Sequence, residues 1–366
     1  MTQPWAEVDA RAPAGELPAT AVVGGIPLVV RPLRQLARLG WSRARVVVED
    51  AAAAGRVQAA LARHPVPALA VEIVTDGDEA TSSAALALDA RAIYRPGDLS
   101  SAPHPEPLLR VRTPADAAAA ERALYAQIRK TVEGDGFFAH HIIRPLTRPL
   151  TRALLATRVS PNQVTAVALL CAVAAALLAA AGGAASAALA GLLYWTGNAL
   201  DCVDGDLARL RLQSTKLGEW LDSMTDEIST FSLLAGLGVG LWRDGAGVEW
   251  LWIGAGGSAV GAVAVACLYV DLHRMGLPID TAQFPWFFAR ASQPAASPAP
   301  GRSAAGAVLH ALGYLVRRDA NVTGVSLMLL LDWREVATAL VAAGAAAGAL
   351  VTLTHYLVMA MRPGRR

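Results

Sequence analysis

From residue 160 onward the chain passes through a series of apolar runs, most of them at or above the roughly 20 residues that a bilayer-crossing helix needs. Runs are read at 162–182, 184–206, 218–241, 248–273, 319–333 and 335–361, the fifth being the shortest. Six spanning helices are therefore expected. Gly182-Gly183 and Asp332-Trp333-Arg334 leave room only for tight turns, so the spans they join should be antiparallel neighbours. Ala and Gly dominate the runs, and small side chains let membrane helices approach closely. Composition agrees: 54% of the 366 residues are hydrophobic and 17% charged, a balance that fits a membrane protein with a soluble part.

The soluble part comes first. Over residues 1–130 short β-branched runs alternate with Ala/Arg/Leu-rich stretches. Strands are expected at Ala21–Val23, Ala44–Glu49, Leu69–Thr75 and Leu108–Arg112, and helices at Val29–Leu39, Ala51–Arg63, Glu79–Arg91 and Pro114–Lys130. Thr113-Pro114 is a helix start, a capping threonine followed by proline in the first turn. Such alternation implies an α/β sandwich on a mostly parallel sheet. Residues 131–160 read as a juxtamembrane linker with an interfacial helix, 161–361 as the membrane domain and 362–366 as a basic tail. No basic region followed by a long apolar stretch opens the chain, so no cleaved signal peptide is expected.

Basic residues orient the spans. Arg144, Arg148, Arg152 and Arg158 precede the first, and Arg209, Arg211 and Lys216 lie between the second and third. Arg274, Arg290, Arg302, Arg317 and Arg318 lie between the fourth and fifth, and Arg362, Arg365 and Arg366 end the chain, whereas the opposite side carries only Arg243 and Arg334. The positive-inside rule puts both termini on the cytoplasmic side of the cell membrane. Trp195, Trp242, Trp250, Trp252 and Trp333 fall at or near span ends, as an aromatic belt requires. The net charge is only +2 and no basic tract stands out, so no nucleic-acid partner is expected. Cys171, Cys202 and Cys267 show neither metal-ligand spacing nor a disulfide framework. The Pro/Ala/Ser-rich stretch 278–303 reads as a cytoplasmic loop.

One stretch carries chemistry. Asp201 and Asp204 stand three apart at the cytoplasmic end of the second span, and Ala208 continues their stripe. Gly218, Asp222 and Asp226 step by four at the start of the third. A short connection sets these helices side by side, so two acidic faces meet. Carboxylates near a membrane span are costly and mark function, and four of them repel unless cations lie between. Oxygen-only ligands select hard divalent ions: Mg²⁺, Mn²⁺ or Ca²⁺. The number of carboxylates suits two ions about 4 Å apart, an arrangement used in phosphoryl transfer. Gly205, Ala208 and Gly218 lack bulk and admit a ligand to the backbone, and Arg209 can hold a phosphate. Taken singly, each aspartate reads first as a helix cap or an interfacial ion pair, and it is the eight positions together that mark a site.

The stretch Asp-x2-Asp-Gly-x2-Ala-Arg-x8-Gly-x3-Asp-x3-Asp, complete from Asp201 to Asp226, resembles the signature of the CDP-alcohol phosphotransferase family. The resemblance implies six transmembrane helices, a homodimer in a lipid membrane, and a site open to the cytoplasm. It implies two divalent ions, Mg²⁺ or Mn²⁺, on Asp201, Asp204 and Asp222, with Asp226 also at the metals and acting as general base. Gly205, Ala208, Arg209 and Gly218 would hold the CDP moiety. Ser160-Pro161-Asn162-Gln163-Val164-Thr165 is similar to the opening of the family's first span, so Asn162 and Thr165 join the nucleotide site unless they merely cap the helix. Arg318-Asp319 resembles the Arg-acidic pair that begins the family's fifth span, which makes Arg318, with Lys216, the candidate for holding the acceptor. His140 and His141 show no ligand spacing and read as interfacial.

In the soluble part, the segment from Gly25 to Gly40 and Arg112-Thr113-Pro114-Ala115-Asp116 resemble pieces of a sugar-nucleotidyltransferase domain. Glu133-Gly134-Asp135-Gly136 with Arg144-Pro145-Leu146 resembles the junction of di-myo-inositol phosphate phosphate synthases, which fuse a cytidylyltransferase to this membrane domain. The departures are specific. The Gly-rich loop with its Arg is absent before residue 24, Ile26 replaces the lysine, and Gly97-Asp98 reads as a turn more readily than as a metal site. A catalytically inactive relative that scaffolds or regulates is expected.

The fold class is thus an α-helical integral membrane domain preceded by a small α/β nucleotidyltransferase-like domain. The resemblance implies transfer of a substituted phosphate group from a CDP-alcohol donor to an acceptor alcohol (inositol phosphate, glycerol phosphate or lipid) with release of CMP. A phospholipid synthase using CDP-diacylglycerol is the alternative enzyme. A divalent-cation transporter is the alternative from another class, disfavoured because the acids sit at one membrane face instead of the midplane. A non-catalytic scaffold is disfavoured by the intact signature.

Overall fold

The structure, a computed structural model, describes residues 5–76, 84–95, 98–100, 104–277, 284–286 and 317–361. The chain divides into two compact units: Met1–Arg129 with Arg152–Arg158 and Asp206–Gln213, and Lys130–Thr151 with Val159–Gly205 and Ser214–Arg366.

The first unit is built on a four-stranded, wholly parallel sheet. Its strands are β1 (Ala6–Asp9), β4 (Arg43–Val48), β5 (Ala70–Thr75) and β6 (Leu86–Asp89), in the order β5-β4-β1-β6. The first strand lies inside the sheet and later ones add on either side of it, a doubly wound arrangement that switches direction between β1 and β6. The hairpin β2 (Val22–Val23) and β3 (Ile26–Pro27) and the pair β7 (Ala92–Ile93) and β8 (Leu109–Arg110) complete the strands. Helices α1 (Val30–Arg38), α2 (Ala51–Arg63) and α3 (Pro114–Ile128) belong to the same unit. The core is continuous through Val8, Val46, Val48, Leu33, Leu36, Leu86 and Leu88, all buried. Asp50 caps α2 by accepting the Ala53 N–H at 2.6 Å, and Thr113 and Asp116 form a reciprocal capping box on α3.

Two expectations need correction here. The helix read at Glu79–Arg91 does not form over its described part, where Leu86–Asp89 is β6 with Leu86 and Leu88 buried and Ala87 and Asp89 half-buried. An Ala-rich composition hid that two-residue alternation. Residues 79–83 of that reading lie outside the described residues. The sequence reading also gives no strand at Ala6–Asp9, because Glu7 and Asp9 on its alternate positions mask Ala6 and Val8. Asp98 opens a short 3₁₀ turn, and Gly97 lies outside the described residues.

The second unit is helical. Ahead of the bundle stand the turn α4 (Val132–Asp135), a π-helical turn (Ala139–Ile143) and α5 (Arg144–Leu155), whose last residues fall in the first unit. The bundle comprises α6 (Pro161–Ala181), α7 (Ala184–Leu210), α8 (Lys216–Arg243), α9 (Val248–Arg274), α10 (Arg318–Leu330) and α11 (Arg334–Ala360). Three of these, Pro161–Ala181, Val248–Arg274 and Arg334–Ala360, are long and apolar enough to cross a membrane. The others depart from six uniform spans for visible reasons. The ends of α7 and α8 carry the signature charges, and the 13 residues of α10 reach only about 20 Å.

Close approach of backbones holds the bundle together. A Cβ at Gly240 of α8 would fall 2.0 Å from the Ala179 carbonyl oxygen of α6, and one at Gly238 would fall 2.7 Å from the Gly254 Cα of α9. At the end remote from the signature, Asp244 accepts the Gly183 N–H at 2.7 Å and ion-pairs with Arg334, tying three interhelical turns together. These bonds hold the Asp244 carboxyl below its usual range. The junction residues have a local account: buried Arg144 pairs with Asp135 at 2.7 Å. Gly136 (φ +98°) has no room for a side chain beside Asp319. Asp319 in turn accepts the N–H groups of Phe138 and Ala139 at 2.8 and 3.1 Å.

Candidate active site

The site begins with two helix ends. The α7 helix runs unbroken to Leu210, so Asp201, Asp204 and Ala208 fall on one stripe. Thr215 starts α8 by accepting the Gly218 N–H at 3.0 Å, which presents Asp222 one turn later on the face turned to α7. Carboxylate oxygens of Asp201, Asp204 and Asp222 all lie within 4.8 Å of one another. Asp201 Oδ1 is buried with no hydrogen-bond partner. Three carboxylates converging around such an oxygen are a donor set that suits a hard divalent cation.

Neighbouring polar groups are arranged around these acids. The Thr165 hydroxyl of α6 donates to Asp204 Oδ2 at 2.5 Å, so it reaches the site through a carboxylate. Asn162 Oδ1 would sit 3.5 Å from a Cβ at Gly218, which puts the first turns of α6 and α8 against each other. Asp226 stands one turn beyond Asp222 and outside the trio. Its carboxylate ion-pairs with Arg318 from α10, and its other oxygen is buried without a partner. A small cavity opens beside these groups, lined by Asp201, Asp226 and Arg318 together with Tyr194, Asn198, Thr225 and Ser229.

Of the signature residues, Asp201, Asp204 and Asp222 are the ones whose carboxylates converge. Gly205 follows Asp204 on α7. Ala208 and Arg209 belong to the first unit, where Arg209 pairs with Asp206 at 2.9 Å. Lys216 is exposed in the first turn of α8 and does not line the cavity. Asp319, beside Arg318, caps the Phe138–Ala139 backbone instead of facing the cavity. The sequence reading missed Tyr194 and Asn198, whose signal was present: they lie seven and three residues before Asp201, on the same helical stripe.

Comparison with known proteins covers this stretch of the chain. Residues 158–289 match the CDP-alcohol phosphatidyltransferase family. That segment carries all four aspartates, and it includes two of the three helices long and apolar enough to cross a membrane. The chain is 38% identical over 127 residues to a bifunctional IPC transferase and DIPP synthase of Thermococcus kodakarensis, covering 34% of this chain and 28% of the relative. Its counterpart in Aquifex aeolicus is 29% identical over 150 residues, 41% of this chain and 34% of the relative. An archaetidylinositol phosphate synthase of Pyrococcus horikoshii is 34% identical over 102 residues, 27% of this chain and 53% of the relative. The matched region thus spans from about a quarter to about half the length of these curated relatives.

Proposed function

We propose that the protein transfers a substituted phosphate group from a CDP-alcohol to the hydroxyl of an acceptor alcohol, releasing CMP. The observation that carries this reading is the convergence of Asp201, Asp204 and Asp222 within 4.8 Å inside the family signature. These three would hold two Mg²⁺ ions, with Mn²⁺ as a substitute, and ions bound there supply neutralisation of the donor's diphosphate. Asn162, Gly205, Ala208, Arg209 and Gly218 hold the CDP moiety, and Thr165 steadies Asp204.

In the reaction Asp226 accepts the proton of the acceptor hydroxyl. The acceptor oxygen forms a bond to the β-phosphorus, the bond from that phosphorus to the bridging oxygen breaks, and CMP leaves with the bridging oxygen. The product is a phosphodiester. Arg318 stands against Asp226 and places a cation where the phosphate of an anionic acceptor can bind, while Lys216 guides it from the rim. An inositol phosphate is the acceptor class favoured, because DIPP synthase and archaetidylinositol phosphate synthase both occur among the relatives. Glycerol phosphate or a lipid alcohol, and CDP-diacylglycerol as donor, are the alternatives. We read both termini and the site as cytoplasmic, and the protein as a homodimer of six-span subunits in the cell membrane.

The soluble domain transfers no cytidylyl group in this account. Ile26, at the lysine position, is fully buried in the core, where no side chain of that residue could meet a nucleotide. Purified protein given CDP-inositol or CDP-diacylglycerol with inositol phosphate and Mg²⁺ tests the main reading by CMP release. A fragment-free test of the second claim uses the full chain with CTP and inositol phosphate, from which no pyrophosphate should appear.

A further inference from the structure

The segment that follows the metal aspartates is held by residues far away in the chain. Within the first unit, Arg34 of α1 donates to the Arg211 carbonyl oxygen at 2.6 Å. Arg211 sits just past the end of α7, and its guanidinium donates to the carbonyls of Leu154 at 2.7 Å and Thr157 at 2.9 Å. Gly25, at φ +80°, lets the β2–β3 turn fit there: a Cβ would lie 2.7 Å from a Leu155 methyl and 3.1 Å from Arg211 Nε. Arg31 donates to the Val23 carbonyl at 2.8 Å and so stiffens that turn. Arg34 and Arg31 are both almost wholly buried, unusual for arginine, and both donate to backbone carbonyls.

We propose that the nucleotidyltransferase-like domain serves as a brace for the CDP-binding end of α7, with Arg34 as the positioning residue that fixes Ala208 and Arg209 through the Arg211 carbonyl. The inference rests on the CDP-alcohol reading for the role of Ala208 and Arg209, but the brace itself rests on the contacts above. It gives the domain a task that needs no catalytic lysine. The Gly-Gly turn and the basic helix after it, where the sequence resembles a nucleotide-handling segment, are engaged with protein backbone.

The test compares full-length wild type with Arg34→Met, Arg34→Gln and Arg34→Lys. Hydrogen exchange of residues 206–213 and 43–48 is measured in each, together with the affinity for CDP in the presence of Mg²⁺. Removing a buried charged donor leaves the Arg211 carbonyl without it, which should speed exchange in 206–213 and weaken CDP binding on the order of tenfold. Exchange in 43–48, inside the sheet, should hold steady, and Arg34→Lys should recover most of the loss. Arg34→Gln, with a shorter donor, serves if Arg34→Met does not fold. Unchanged exchange in 206–213 overturns the brace. Faster exchange with unchanged CDP affinity overturns its role in nucleotide binding. If wild type binds no CDP, the CDP-alcohol reading fails, and the exchange data alone decide the brace.

Discussion

Replacing Thr165 with valine tests how the acidic trio is organised. The side chains are nearly the same size, so the change removes one hydroxyl from the α6–α7 interface and little else. That hydroxyl donates to Asp204 Oδ2 at 2.5 Å, and Asp204 is buried. A hydrogen bond to a charged acceptor is worth about 1.5–3 kcal/mol, or about 10- to 150-fold in an equilibrium constant. Loss of a group that orients a metal ligand typically costs about 10- to 100-fold in metal affinity. The Mg²⁺ concentration for half-maximal CMP release should therefore rise at least about tenfold in Thr165→Val, with kcat at saturating Mg²⁺ little changed and Thr165→Ser close to wild type. The assay is CMP release against Mg²⁺ at saturating donor. If Thr165 instead touches the nucleotide, the KM for donor will rise while the Mg²⁺ dependence stays put, and the reasoning is refuted.

Other substitutions separate the remaining roles. Asp226→Asn should lose about a hundred- to ten-thousand-fold in turnover yet bind CDP-alcohol, whereas Asp201→Asn should lose both, as titration calorimetry with donor and Mg²⁺ will read. Equal loss of binding in the two would make Asp226 chiefly a metal ligand. Gly240→Val should lower the melting temperature in detergent, because even a Cβ there meets the Ala179 carbonyl at 2.0 Å; an unchanged melting curve contradicts that packing. The Asp116 carboxyl is held below its usual range by the backbone and hydroxyl of Thr113, so its support of α3 is present at neutral pH and disappears as pH falls through its lowered folded value. Acid unfolding of the first unit should shift to higher pH in Thr113→Ala. A cysteine introduced at position 298 should be labelled only from the cytoplasmic side of sealed vesicles.

The site was more legible than the fold around it. Spacing along α7 and α8 is covalent information, so Asp201, Asp204 and Asp222 could be placed on facing stripes from the helical period alone. What spacing cannot give is the partner from a distant helix. Arg318 was named from resemblance, yet its contact with Asp226 depends on how α10 packs against α8. Asp319, beside it, caps a helix start 180 residues earlier in the chain. In the first unit, capping at Thr113 and the alternation of β4 were readable because local chemistry fixes them. The strands β1 and β6 were not, since each is four residues long and its pattern is blurred by acidic or alanine neighbours. The short α10 shows the same limit in the bundle: the apolar run was visible, but where the helix begins and ends is set by packing.

The central claim is that the aspartate trio and Asp226 perform metal-dependent CMP release. The most direct measurement is a time course of CMP formed from CDP-inositol and, separately, CDP-diacylglycerol, each with inositol phosphate and Mg²⁺, by wild type and Asp222→Asn. The account predicts steady CMP release by wild type with at least one donor, abolished by chelation and absent in a folded Asp222→Asn protein. Turnover that survives chelation, or an Asp222→Asn protein as active as wild type, would contradict it.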